Sequence, residues 1–241
     1  MKVLIVGASG MIGGEILLQC LTHPSISTVV AFVRRELPAA VSENPKLQCV
    51  VIKDFSVWPE ELLQAHTDAA GMIWAMGSYN GSVTADLEYP SAFQENMAQV
   101  LEKNPTGSQF RFVQLSGKFV RQNQEQKLWF LEKPRKIKGL LETKTLEVAK
   151  SHAAIWKGFI VKPGGVVAKT IMGNGVVGVM TSMGAAMGEN WSVRIDELGA
   201  FMTYLAIDGE GEDPLIENAR IVRRGRELLK LQKKASESSQ S

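Results

Sequence analysis

Glycines at positions 7, 10 and 13, set between the apolar run of residues 3–6 and the helix-like residues 15–21, limit this fold more than any other feature. The order is strand, glycine turn, helix. Gly7 permits the tight turn, Gly10 lets backbone approach a pyrophosphate, and Gly13 lets the helix pack closely on the strand. An anion there rests on the free N–H groups and positive dipole end of the helix. The dinucleotide contacts of this turn are assigned to Gly7, Ser9, Gly10, Met11, Ile12 and Gly13. The alternative is a glycine-rich βα turn with no ligand.

The rest of the chain repeats that alternation. Apolar strand-type runs follow at residues 28–33, 47–52, 70–75, 109–115 and 158–161, the last with the residues just before it. Between them, residues 59–65, 90–102 and 134–151 carry helical spacing, with Phe93, Met97, Val100 and Leu101 on one face. Pro59, Pro90 and Pro134 each stand where a helix would begin. This pattern predicts an α/β fold, a Rossmann-type doubly wound parallel sheet that binds ligands at the carboxyl ends of its strands. We expect one domain over residues 1–231, with a small C-terminal substrate-side segment at about 164–200. Residues 193–206 are expected to open and form a helix, residues 217–231 a charged terminal helix, and the polar, serine-rich residues 232–241 a disordered tail.

Composition narrows the partners. A length of 241 residues with 45% hydrophobic content suits one large α/β domain. A net charge of +2, from 27 basic and 25 acidic residues, gives no general attraction to nucleic acid or membrane. The expected partner is a small molecule, and the expected state a monomer or homodimer. Cys20 and Cys49 form no disulfide framework and read as reduced thiols of a cytoplasmic protein. His23, His66 and His152 lack metal-ligand spacing, so no metal is expected. No run is apolar enough to span a bilayer, and a strand starting at residue 2 leaves no room for an export signal. The glycosylation matches at Asn80 and Asn190 are therefore read as chance.

After the second strand come Arg34, Arg35 and Glu36. An acidic residue there binds the ribose 2′-hydroxyl of NAD, whereas arginine accommodates a 2′-phosphate. The two guanidiniums favour NADP over NAD; Glu36 points the other way, and a solvated charge run is the alternative.

The spacing Gly-x-x-Gly-x-x-Gly resembles that of the short-chain dehydrogenase superfamily. Its wording is similar to the atypical, extended-type branch that includes the Tat-interacting-protein-like oxidoreductases and fungal nucleotide-sugar-epimerase-like proteins. The similarity runs from Met1 to about Leu231. It implies that Asp54, at the end of the third strand, bonds the adenine amino group. Ala75, Met76 and Gly77 would pass under the cofactor, and Pro163 to Val166 would close over the nicotinamide. Ser116 falls where the family keeps a serine that bonds the substrate carbonyl. Lys138, in Lys138-Gly139-Leu140-Leu141-Glu142, takes the place of the lysine of Tyr-x-x-x-Lys. The place of the tyrosine is Pro134.

No Tyr-x-x-x-Lys exists elsewhere: Val83, Phe93 and Asp208 stand four residues beyond Tyr79, Tyr89 and Tyr204. A register with Trp129 and Lys133 fails because an indole N–H is no practical acid. Tyr79, on the loop after the fourth strand, is the remaining phenol at the cofactor edge and joins Ser116 and Lys138 as a candidate catalytic residue. The alternative reading of Lys138 is a surface lysine beside Glu142. Met172, Met180, Met183 and Met187 suit either an apolar substrate wall or an ordinary core. The Gly173, Gly175, Gly178 pattern lacks the strand-turn-helix order and is discounted. These readings predict an NADP(H)-dependent oxidoreductase acting on a small, apolar carbonyl or alcohol. The alternatives are a cofactor-binding regulatory or scaffold protein, and a non-redox isomerase or cyclase on the same fold.

Overall fold

The computed structural model describes residues 1–168 and 188–238. Its strands are β1 (Lys2–Val6), β2 (Thr28–Val33), β3 (Leu47–Val51), β4 (Ala69–Trp74), β5 (Phe110–Leu115), β6 (Trp156–Lys162), β7 (Gly165–Val167), β8 (Ser192–Arg194) and β9 (Leu215–Glu217). Seven form one sheet in the order β3-β2-β1-β4-β5-β6-β9, with every neighbouring pair parallel. The remaining two, β7 and β8, pair with each other. The strand order reverses between β1 and β4, and in such sheets the crevice above that point is where ligands bind. The doubly wound α/β fold is therefore as expected.

The helices are α1 (Met11–Thr22), α2 (Ala39–Ser42), α3 (Glu60–Gln64), α4 (Tyr89–Lys103), α5 (Glu132–Ser151), α6 (Ile195–Ile207) and α7 (Asn218–Ser238). They cover both faces of the sheet, which is why the central strands are apolar throughout rather than alternating with polar residues. On β1, Val3 and Ile5 join a core with Ile16 and Leu17 of α1 and Leu198 and Phe201 of α6. Leu4 and Val6 face the other way, into a core rich in rings. There Phe93 of α4 lies 4.9 Å from Trp58 and 6.0 Å from Phe112, centroid to centroid. A polar chain also crosses this layer. Thr145 Oγ1 donates to Gln114 Oε1 at 2.8 Å and accepts from Gln94 Nε2 at 3.2 Å, so β5, α4 and α5 are tied behind the site. Among the described residues no helix is long and apolar enough to cross a membrane.

The largest departures from the expected boundaries lie toward the C-terminus. Strand β9 sits where residue 217 was expected to begin the terminal helix; of its three residues only Ile216 is buried, which leaves no alternation to detect. It is recruited by β6, whose Ile160 N–H donates to Pro214 O at 2.7 Å. Val193 belongs to β8, and α6 starts at Ile195, with Asp196 and Glu197 in its first turn. Helix α7 continues past residue 231 to Ser238, where a disordered tail was expected. Lys233 and Glu237, 3.8 Å apart and one turn from each other, suit those extra turns.

Candidate functional site

The site begins at the first turn of α1. Gly7 has φ +93°, and a Cβ there would stand 2.7 Å from Ala75 C; a Cβ on Gly13 would stand 2.0 Å from Gly7 O. These two glycines are demanded by the fold itself. Gly10 differs: its φ is −83°, and a Cβ would meet only Gly7 O, at 3.3 Å, so its open side faces outward. No side chain caps α1 and no acid lies in its first turn. The leading N–H groups of a helix have no partner one turn back, so this end is arranged to receive an anion.

Two clefts flank the turn. One, of about 170 Å³, is bordered by Gly7 to Gly10, Phe32, Val33, Arg34, Phe55 and Ala75 to Gly77. The other, of about 350 Å³, is bordered by Gly10 to Gly13, Ala75 to Tyr79, Leu115, Ser116 and Lys138. They share Gly10, Ala75, Met76 and Gly77, so they can take the two halves of one dinucleotide across the glycine turn. Met11, apolar yet 60% exposed, lies in the second cleft, where a ligand would cover it. Arg34 borders the first cleft. Arg35 borders a third cavity, with Ser9, Leu17, Leu37 and Val41, on the outer flank of α1. Ser9 borders both of these cavities.

At the second cleft the structure brings together the three expected catalytic residues, with partners the sequence did not reveal. Lys138 pairs not with Glu142 but with Asp86, Nζ to Oδ1 at 2.7 Å. Asp86 lies in a π-helical turn (Thr84–Glu88) and is fully buried. Its carboxylate also accepts from the Ser78 N–H at 2.7 Å and from Ser78 Oγ. A Cβ on Gly77 would stand 2.8 Å from Lys138 Nζ, so Gly77 leaves the room this ammonium needs. Lysine has three N–H hydrogens and Asp86 engages one, which leaves donors for a ligand. The loop following β4 also lies against Pro134, which the resemblance puts at the place of the tyrosine. Gly81 has φ +72°, and a Cβ on it would stand 2.8 Å from Pro134 Cα. Tyr79, two residues before Gly81, lines the cleft and is 91% exposed.

Ser116 is committed on its donor side: Oγ gives its proton to Glu142 Oε1 at 2.6 Å. Glu142, with a fully buried carboxylate, also accepts from Lys162 Nζ at 2.9 and 3.0 Å and from Gln122 Nε2 at 3.1 Å. The Ser116 oxygen is therefore left only its acceptor side for any ligand, which departs from the carbonyl-donor role that the resemblance implies. Removing one partner of such a buried pair leaves an uncompensated charge and typically costs about 3–5 kcal/mol. Lys162→Met should lower unfolding free energy by about that amount in urea titrations, and adding Glu142→Gln should recover part of it. A single variant as stable as wild type would mean the pair carries no such strain.

Other expected contacts lie elsewhere. Asp54 Oδ1 closes a turn on Ser56, accepting from its N–H at 2.9 Å and Oγ at 2.7 Å, and these bonds hold the carboxyl below its usual range. The neighbouring Phe55, a buried ring with no periodic signal to mark it, borders the smaller cleft instead. Pro163 accepts from the Lys118 N–H at 2.9 Å, and Val166 pairs with Val193 in the small sheet; neither borders the two clefts. The four methionines from Met172 to Met187, and the glycines 173 to 178, lie outside the described residues.

No protein-family model matches the chain. A mitochondrial protein of Aspergillus terreus, fmp52-1, is 38% identical over 61 residues, which is 25% of this chain and 26% of that relative. The match thus spans about a quarter of the curated relative. The solved oxidoreductase ylbE from Lactococcus lactis superposes with a TM-score of 0.62 at 20% identity, over 95% of this chain and 97% of that one. Gre2 from Candida albicans, solved with NADPH, gives 0.60 at 15% identity, over 90% and 78%.

Proposed function

On the fold of the short-chain dehydrogenases and reductases, which this chain shares, we propose that the protein is an NADP(H)-dependent oxidoreductase for a small carbonyl or alcohol. The observation that carries this reading is the single cleft joining the uncapped end of α1 to Tyr79, Ser116 and Lys138. The pyrophosphate would rest on the N–H groups of Met11, Ile12 and Gly13, with the adenosine half along Phe55 and Arg34. Ser9, Arg34 and Arg35 would hold the 2′-phosphate, and Lys138, kept in place by Asp86, would hold the ribose hydroxyls. When bound, NADPH supplies the hydride. Tyr79 would then give its phenolic proton to the substrate oxygen and recover it from solvent, to which it is open. Ser116 would accept a hydrogen bond from the product hydroxyl. The reduced thiols suit a cytoplasmic enzyme.

Calorimetry should find NADPH binding tighter than NADH by about 1–3 kcal/mol, the worth of charge-assisted bonds to a phosphate. Arg34→Ala or Arg35→Ala should remove most of that difference. Equal affinities in the wild type would overturn the NADP assignment. Turnover is expected to be slow on generic aldehydes and ketones. NADPH binding with no oxidation across a broad carbonyl panel would favour the regulatory or non-redox alternatives.

A further inference from the structure

The net charge of +2 averages over an uneven surface. Residues 117–136, between β5 and the first turns of α5, hold six basic side chains against Glu125 and Glu132. In their midst Leu128, Trp129, Phe130 and Leu131 make an apolar tip, with Trp129 92% and Leu131 63% exposed. Leu131 is the one non-glycine residue with positive φ, +45°, among the described residues, a conformation that L residues adopt only at a cost. The chain is thus strained while presenting two large apolar side chains to water.

The tip continues into a ridge of rings. Trp129 and Phe130 are 4.8 Å apart, Phe130 and Phe119 5.8 Å, and Phe119 and Trp191 6.3 Å, with Phe119 and Trp191 each nearly half exposed. Cations lie against these rings: the Arg135 guanidinium is 4.4 Å from the centroid of Phe130, and Lys118 Nζ is 5.1 Å from that of Trp191. Lys127 and Lys133 flank the tip in the chain and are exposed.

We propose that this ridge docks the protein on the surface of an anionic lipid bilayer. Trp129 and Leu131 enter the headgroup boundary, and Lys127 and Lys133 meet the acidic headgroups. Trp is favoured at that depth, where one side of the ring is apolar and the other wet, and lysines beside an apolar insertion add attraction to anionic lipid. The arrangement favours a bilayer over a protein groove because every apolar side chain of the tip has a cation close by in sequence or space. Lipid meets both at once without a shaped partner. This inference is independent of the nucleotide reading.

The test is co-sedimentation of the full chain with vesicles of phosphatidylcholine alone or mixed equally with phosphatidylserine. Wild type should sediment with the mixed vesicles and far less with the neutral ones. Trp129→Ala with Leu131→Ser should lower partitioning by about tenfold or more. Lys127→Gln with Lys133→Gln should lower it by about tenfold on the mixed vesicles only. The four positions are exposed, so thermal melts and NADPH affinity should not change. Wild type remaining in the supernatant, or the Trp129 and Leu131 variant sedimenting like wild type, would overturn the proposal. So would a dimer abolished by that variant, which would give the ridge to a second copy of the chain.

Discussion

Gly10→Val is expected to abolish NADPH binding while leaving the fold intact, whereas Gly13→Ala is expected to damage both. The two glycines belong to one motif, and a pattern match treats them alike. The geometry separates them. A side chain at position 10 finds a permitted backbone conformation and a single tight contact, at 3.3 Å, and otherwise occupies the space in front of the helix end. That is the space a pyrophosphate needs. A methyl group at position 13 would stand 2.0 Å from the Gly7 carbonyl oxygen, where nothing can yield except backbone. Calorimetry with NADPH and a thermal melt decide the matter. Gly10→Val that binds normally would remove the glycine turn from the cofactor site. Gly13→Ala as stable as wild type would show that the turn can open.

Tyr79→Phe is expected to lower kcat by about 10²–10⁴-fold, the usual worth of a positioned general acid. In the family that the sequence resembles, the phenol stands on a helix one turn before the lysine, and the resemblance puts Pro134 at that place. Proline suits the start of a helix, and in this chain the loop after β4 packs close to it: a Cβ on Gly81 would stand 2.8 Å from Pro134 Cα. The same loop carries Tyr79 into the cleft with Ser116 and Lys138. On the proposed function, Tyr79 would take the place of the phenol in the same cleft from a different element. Ser116→Ala should cost less than Tyr79→Phe, because the Ser116 proton already belongs to Glu142. Lys138→Ala should raise KM for cofactor as well as lower kcat, if the ammonium holds the ribose. Turnover that survives all three substitutions would place the chemistry elsewhere.

What the sequence disclosed is what repeats. The glycine spacing, the apolar strands and the helical faces are periodic, so the sheet and the end of α1 could be read directly. Strand β9 could not, since three residues with one buried side chain carry no period. The partners in the cleft were hidden for another reason. Asp86 meets Lys138 across 52 positions, and Glu142 meets Ser116 across 26. Both are made by the crossing of α5 over the sheet edge, and local spacing predicts neither. Reading Lys138 against its neighbour one turn on gave Glu142, the nearer acid in sequence but the wrong one in space. Arg34 and Arg35 looked equivalent as a pair at a strand end. In the structure Arg34 borders the smaller cleft beside the glycine turn and Arg35 the cavity on the flank of α1.

The most direct test of the account is a crystal structure of the protein with NADP⁺. The account predicts the pyrophosphate on the N–H groups of Met11, Ile12 and Gly13, the 2′-phosphate between Arg34 and Arg35, and the nicotinamide in the cleft beside Tyr79, Ser116 and Lys138. A nucleotide bound with its pyrophosphate away from that turn, or a nicotinamide ring outside the cleft, would contradict it.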